Sequence, residues 1–138
     1  MYQRVRAVGH EHVSAEHTST LELTRDDWLT PAGDCILGIE ANAVPATFKT
    51  EFVSACQSHD ARISATIRVD GHEQRVEGSG HPDLSFENER SMVIRTSDYI
   101  DDRTIMIGAD VAAAGIDRDI VAALEEGAGL ECVLEVER

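Results

Sequence analysis

The chain has 138 residues, a length typical of one domain, and its 42% hydrophobic content can bury a core without disulfides or a structural metal. Its 26 acidic residues outnumber 12 basic ones, giving a net charge of −14, and no apolar run is long enough to cross a membrane. The amino terminus lacks an apolar export segment, and the three cysteines are widely spaced, so we expect a cytoplasmic protein without disulfides.

The acidic residues are scattered along the chain, and Lys49 is the only lysine beside eleven arginines. This pattern favours adaptation to molar salt, where repulsion between like charges is screened within a few ångströms. An ordinary acidic protein is the alternative. Net acidity normally argues against nucleic-acid binding, but that argument loses force in a chain that works in high salt.

Alternation and turn residues predict the elements of the first half. Strands are expected over residues 4–8 and 18–24, the second with Leu21 and Leu23 on one face. A turn over 29–34 leads into a strand over 35–41. Helical spacing of apolar residues predicts a helix over 45–58.

Alternation and turn residues predict the elements of the second half in the same way. Strands are expected over 61–69, 72–77, 92–95, 104–109 and 130–137, and a helix from Asp117 to Glu126. Asp70 and Gly71 predict a hairpin turn, and 78–83 breaks the chain again.

This order predicts a mainly β (α+β) fold: an antiparallel β-sandwich or open barrel of about eight strands with two short helices. We expect one domain over residues 1–138, without an internal repeat. An exposed edge strand could support a homo-oligomer.

Five motifs in this order, GH at 9–10, AEHTSTLELT, LTPAGDCILGI, GSGHPDL and MVIRTSDYIDDRT, resemble an archaeal family known only as domain-of-unknown-function family 371. The likeness runs from about residue 5 to 136 and is most specific over 29–38 and 94–99. It implies an archaeal protein, here a haloarchaeal one, with a compact β-rich fold, and it implies no established reaction. The chain departs from the family pattern at His12, where asparagine is expected.

A metal site is one hypothesis for the histidines. His10 and His12 would share a strand face and could offer two imidazoles to a divalent metal. His17, Glu16 or His81 would supply a third ligand. The alternative is a pair of solvated histidines.

A hydrolase-like site on a phosphate-containing, nucleotide or RNA substrate is the broader hypothesis. Imidazoles beside carboxylates suit general acid–base work, and arginines bind anionic groups. The candidate catalytic residues are His10, His17, Asp34, His81 and Asp98, with Arg95 and Arg103 as substrate-binding residues. In the competing interpretation Arg95 and Asp98 form a local ion pair and the histidines cap loops. Cys35, at the start of an apolar strand, is expected to be structural rather than a nucleophile.

A non-enzymatic binding module is the alternative function. Arg62, Arg68 and Arg75 would form a basic face for RNA or an acidic protein, adjoined by Arg4 and Arg6. Cross-strand Arg–Glu pairs, such as Arg68 with Glu73, would neutralise that face.

Overall fold

Eight β-strands and two short α-helices make up the fold, as the sequence predicts. The computed structural model describes residues 1–138. The strands are β1 (Tyr2–Val8), β2 (Thr20–Thr24), β3 (Ile36–Gly38), β4 (Arg62–Val69), β5 (His72–Ser79), β6 (Ser91–Arg95), β7 (Thr104–Met106) and β8 (Gly129–Glu137). The helices are α1 (Thr50–Cys56) and α2 (Arg118–Glu125), each preceded by a 3₁₀ turn, at Pro45–Thr47 and Ala113–Gly115.

The strands form two four-stranded sheets and no closed barrel. The first sheet has the order β1-β8-β4-β5 and is antiparallel throughout. The second has the order β3-β2-β6-β7; its central pair is antiparallel, but β3 and β7 run parallel to their neighbours. A parallel neighbour needs a crossover connection. Here loops 25–35 and 96–103 make those crossovers.

The core contains 35 buried residues in one cluster. Alternating residues of the strands point into this core as expected: Leu21 and Leu23 from β2, and Ile63 and Ile67 from β4. Each such side chain contributes roughly 1.5–3 kcal/mol by leaving water.

The helix expected over 45–58 is divided. After the 3₁₀ turn Pro45–Thr47, Lys49 is extended, with ψ 133°, and α1 begins only at Thr50. The backbone N–H of Lys49 donates instead to Gln3 Oε1 on β1, at 2.8 Å. This contact with β1 holds Lys49 in an extended conformation, so α1 begins later than the spacing of apolar residues predicts.

The expectation of no internal repeat is wrong. The order β-β-β-3₁₀-α-β occurs twice, and exchanging the two halves leaves the strand order of each sheet unchanged. Side-chain contacts repeat as well: Asn42 Oδ1 accepts from the N–H of Arg6 at 2.8 Å, and Asp110 Oδ1 accepts from the N–H of Glu77 at 2.9 Å. These segments lie along the last residues of the edge strands β1 and β5 and hydrogen-bond to Arg6, Val8, Glu77 and Ser79.

A pseudo-twofold axis relates the halves and crosses the centre of both sheets. Equivalent residues are paired directly across it: Glu22 with Val93 between β2 and β6, and Thr66 with Val133 between β4 and β8. Glu22 therefore stands at the centre of the second sheet, facing away from the core.

Candidate functional site

The predicted histidine site is not assembled. His10 follows β1 and His81 follows β5, which are the two edge strands of the first sheet. Three strand spacings separate those edges, roughly 14 Å, and the strands end at opposite ends of the sheet. His10 and His81 are equivalent positions in the two halves rather than members of one site.

Each of the three histidines predicted to be catalytic accepts a backbone hydrogen bond within its own loop. His10 Nδ1 accepts the N–H of His12 at 3.0 Å, and His81 Nδ1 accepts that of Asp83 at 2.9 Å. His17 Nδ1 accepts the N–H of Thr20 at 3.1 Å. The loop-capping interpretation matches this geometry.

No group of three His, Cys, Asp or Glu side chains is arranged to hold a metal ion. The rings of His10 and His12 do lie near each other, with centroids 5.1 Å apart. His59 and His81 form a second such pair, at 4.7 Å, which sequence reasoning missed. Neither pair has a third ligand.

The two predicted aspartates, Asp34 and Asp98, lie on different loops. The carbonyl oxygen of Asp34 accepts the N–H groups of Glu16 and His17, which brings Asp34 beside His17 through the backbone. Asp98 is exposed on loop 96–103. The ion pair expected between Arg95 and Asp98 is wrong, because Arg95 pairs with Asp101 at 2.9 Å.

The structure gathers polar side chains instead on the outer face of the second sheet. Alternation turns Glu22 of β2, and Ser91 and Arg95 of β6, away from the core. The crossover loops 25–35 and 96–103 bring further residues to this face. Both of the most specific motifs, 29–38 and 94–99, therefore meet here.

A cavity of about 400 Å³ opens between loop 25–35 and β6. We call it the Glu22 pocket; its polar and aromatic lining includes Glu22, Asp26, Trp28, Arg90, Ser91 and Arg103. Arg103, predicted to bind substrate, thus lines an open cavity. Arg95, predicted with it, is 8% exposed and lies outside the lining.

Glu22 is the electrostatically unusual group of the pocket. Its side chain is 12% exposed, and burial raises its pKa, although Arg103, Cys35 and Ser91 act in the opposite direction. Its nearest guanidinium, Arg103 Nη1, lies 3.8 Å from Oε1, beyond hydrogen-bond distance. The carboxyl group is therefore poorly compensated.

The two arginines of the pocket are engaged with aspartates. Arg103 Nη2 lies 3.1 Å from Asp101 Oδ2. Arg90 donates to both oxygens of Asp26, from Nε at 2.8 Å and from Nη2 at 2.7 Å. Those hydrogen bonds lower the pKa of Asp26 and raise the pKa of Arg90.

Asp101 shows the opposite electrostatic balance from Glu22. Burial alone would raise its pKa. Hydrogen bonds from Arg103 and Thr104, together with the charge of Arg95, outweigh burial and lower the pKa to about 2.

Cys35 borders the site as a thiol rather than a thiolate. Its Sγ donates to Glu22 Oε1 at 3.7 Å. Burial, followed by the charge of Glu22, raises its pKa to about 11. A nucleophilic cysteine needs the opposite shift, so the structural interpretation of Cys35 agrees with its surroundings.

The arginine face of the first sheet is not a basic patch. Arg68 lies 3.3 Å from Glu73 and 3.5 Å from Glu131, and Arg75 lies 2.7 Å from Glu77. The cross-strand pairing expected between Arg68 and Glu73 is present. Arg62, the third arginine predicted for this face, donates to Ser79 Oγ at 2.8 Å rather than to a carboxylate. A face on which two of three predicted cations are matched by carboxylates offers little to a phosphate backbone.

The comparisons with known proteins agree with the motifs. A model described as "Domain of unknown function (DUF371)" matches residues 5–137. The chain belongs to the DUF371 family. It is 43% identical over 123 residues to the uncharacterized protein MJ0206 of Methanocaldococcus jannaschii, a match that covers 89% of this chain and 90% of that protein. Neither helix of the chain is long and apolar enough to span a membrane.

Two signals could have pointed to the Glu22 pocket. Glu22 occupies an outward strand position that alternation predicts, and Asp26 and Trp28 follow it in the same loop. What the sequence does not display is that the crossover loop folds back over β2 and partly buries that acid.

Proposed function

We propose that this DUF371 chain binds a small polar molecule in the Glu22 pocket, with the carboxyl group of Glu22 as the recognising group. The observation that carries the proposal is a carboxyl group only 12% exposed at the side of an open cavity, with its nearest cation 3.8 Å away. A ligand that donates a hydrogen bond would compensate this group.

Trp28 supports the proposal as an apolar wall of the pocket. The residue is 54% exposed, which is unusual for a tryptophan, and the guanidinium carbon of Arg90 lies 5.9 Å from the centroid of its ring. It is also the only tryptophan in the chain, so its fluorescence reports on this pocket alone.

The test is a fluorescence titration of Trp28 with nucleosides, nucleotides, amines, guanidines and carboxylates, followed by thermal unfolding with each ligand that responds. Glu22→Gln removes the charge at nearly constant volume, and Glu73→Gln is the matched control on the opposite sheet. We expect at least one class to bind the natural chain and Glu73→Gln but not Glu22→Gln. Equal binding to all three proteins, or no response to any class, would contradict the proposal.

Hydrolysis of a phosphate-containing substrate, a nucleotide or RNA included, is the second candidate function. Glu22 and Asp26 line the same cavity with pKa values displaced in opposite directions, which is the division expected of a general acid and a general base. The experiment is a panel of phosphoester substrates, with Glu22→Gln and Asp26→Asn compared with Glu73→Gln. Activity that survives in both pocket variants would remove this candidate.

We also propose that the protein is haloarchaeal and works in the cytoplasm at high salt. The net charge of −14 and the single lysine support this. Raising KCl from about 0.1 M to about 2 M should raise the unfolding temperature, because salt screens the repulsion between the acidic side chains. An unfolding temperature that falls with KCl would overturn the proposal.

A further inference from the structure

The pseudo-twofold axis relates the Glu22 pocket to a second site, and that second site is already filled by Arg95. The guanidinium carbon of Arg95 lies 4.8 Å from the centroid of the Tyr99 ring. Arg95 Nε donates to Thr104 Oγ1 at 2.8 Å, and Nη2 donates to Asp101 Oδ2 at 2.9 Å. The site therefore holds a planar cation against an aromatic ring, a carboxylate and a hydroxyl.

Backbone hydrogen bonds fix which residues correspond between the two loops. Ile36 N–H donates to Gly33 O, and Thr104 N–H donates to Asp101 O in the same way. Gly33 and Ile36 are therefore equivalent to Asp101 and Thr104. Thr24 is equivalent to Arg95, because their carbonyl oxygens accept from the N–H groups of Ala41 and Ala109, respectively. Trp28 and Tyr99 each lie four residues after that pair and correspond as well. Trp28, Gly33 and Ile36 all line the Glu22 pocket. The open cavity thus corresponds to the place where the other half holds its guanidinium.

Two of the equivalent positions carry smaller side chains in the half that contains the Glu22 pocket. Thr24 replaces the arginine side chain, and Gly33 has no side chain in place of that of Asp101. The carboxylate comes from a different position: Glu22, whose equivalent across the axis is Val93. The pocket consequently keeps an aromatic ring and a carboxylate, and neither of its two arginines hydrogen-bonds to Glu22.

Neither arginine of the pocket fills this role. Arg90 lies 5.9 Å from the centroid of the Trp28 ring, but Asp26 binds its Nε and Nη2. Arg103 gives two nitrogens to Asp101 and leaves Glu22 at 3.8 Å. Glu22 is the carboxylate of the pocket whose nearest cation lies beyond hydrogen-bond distance, which favours a cationic ligand over a phosphate.

We propose that the Glu22 pocket binds a guanidinium group, carried either by a small molecule or by an arginine side chain of a peptide. This inference rests on the proposed function and names its ligand class. The guanidinium lies against Trp28 and donates to the Glu22 carboxylate, as Arg95 does toward Tyr99 and Asp101.

The test is a titration with methylguanidinium, followed by Trp28 fluorescence. Methylammonium is the control for a cation that is not planar, and urea is the control for a planar molecule without charge. We expect methylguanidinium to bind, with at least a tenfold loss of affinity in Glu22→Gln and no change in Glu73→Gln. Equal responses to all three small molecules would overturn the inference.

Arg103→Gln gives a second test that separates a cation from an anion. Removing a positive charge 3.8 Å from Glu22 should strengthen guanidinium binding severalfold, whereas it would weaken the binding of an anion. If nucleotides bind, methylguanidinium does not and Arg103→Gln weakens the nucleotides, the inference fails while the proposed function stands. If no ligand class perturbs Trp28, both fail.

The source of the guanidinium is resolved by two further ligands. Agmatine represents a small molecule, and a short arginine-containing peptide with its lysine counterpart represents a side chain. Tighter binding of agmatine than of the peptide supports the small molecule, and the reverse order supports the peptide. A lysine peptide that binds as well as the arginine peptide would overturn the proposal that the ligand group is a guanidinium.

Discussion

Replacing Arg95 with methionine should cost about 3 kcal/mol of unfolding free energy. The Arg95 side chain is 9% exposed, and it gives Asp101 a charge-assisted hydrogen bond at 2.9 Å. Removing one partner of a buried pair typically costs about 3–5 kcal/mol, because the remaining charge is left buried and alone. Asp101 keeps Arg103 at 3.1 Å, so its charge stays compensated, which places the loss at the lower end.

The assay is urea unfolding at pH 7 of the natural chain, Arg95→Met, Asp101→Asn and the double variant. The single variants in contact should be non-additive by about 0.5–3 kcal/mol. Arg75→Met is the matched control, since Arg75 pairs with Glu77 at the shorter distance of 2.7 Å but is 56% exposed. We expect that control to cost under about 1 kcal/mol, because water and side-chain entropy offset an exposed pair. A control loss as large as that of Arg95→Met would refute the claim that burial, rather than distance, sets the energy.

Three further outcomes follow from the structure. Because the folded pKa of Asp101, about 2, lies below its unfolded value, its contribution is complete above the unfolded pKa and disappears as pH falls toward 2. Asp101→Asn should therefore flatten the loss of stability between about pH 4 and 2 in an acid unfolding series. The Cys35 thiol, with its pKa raised to about 11, should stay unmodified by iodoacetamide at pH 7 in the native state and react after unfolding, as mass spectrometry would show. Gly9→Ala would place a Cβ against the carbonyl oxygen of Leu124 and should cost roughly 3 kcal/mol or more, whereas Gly129→Ala meets no atom within 4 Å and should cost far less in a thermal melt.

The strands were predictable because apolar side chains alternate along them. This alternation depends on the buried face alone and not on what packs against the outer face. Residues 61–69 and 130–137 correspond closely to β4 and β8. The helix over 45–58 was not, because a long-range hydrogen bond from Lys49 to Gln3 decides where α1 begins. The spacing of apolar residues within 45–58 does not indicate that Gln3 of β1 will bind Lys49.

The histidine site was misplaced for a reason that the duplication explains. His10 and His81 each follow a glycine, and their shared dipeptide suggested one site with two contributions. In the structure the dipeptides are the same loop element, used once in each half, at opposite corners of the first sheet. Repeated motifs in a duplicated fold lie apart in this way whenever the axis does not pass near them.

The two residues on the axis of the second sheet, Glu22 and Val93, differ in chemistry between the halves, which suggests a last prediction. Val93, the equivalent of Glu22, is 2% exposed, so this environment accepts a valine. Burial raises the pKa of Glu22, which means that the folded chain disfavours its ionised form, and stability contributed by the neutral form is lost as pH rises through the folded pKa.

Glu22→Val should therefore raise the unfolding free energy at pH 7 by about 1 kcal/mol, an effect that shrinks toward pH 4, while ligand binding in the pocket is lost. The exposed Glu73→Val should change neither property by a comparable amount. A gain in stability with loss of binding would mean that Glu22 is kept for its chemistry at a cost to the fold. A loss of stability across the whole pH range would mean instead that Glu22 is structural, with Arg103 and Cys35 as its partners.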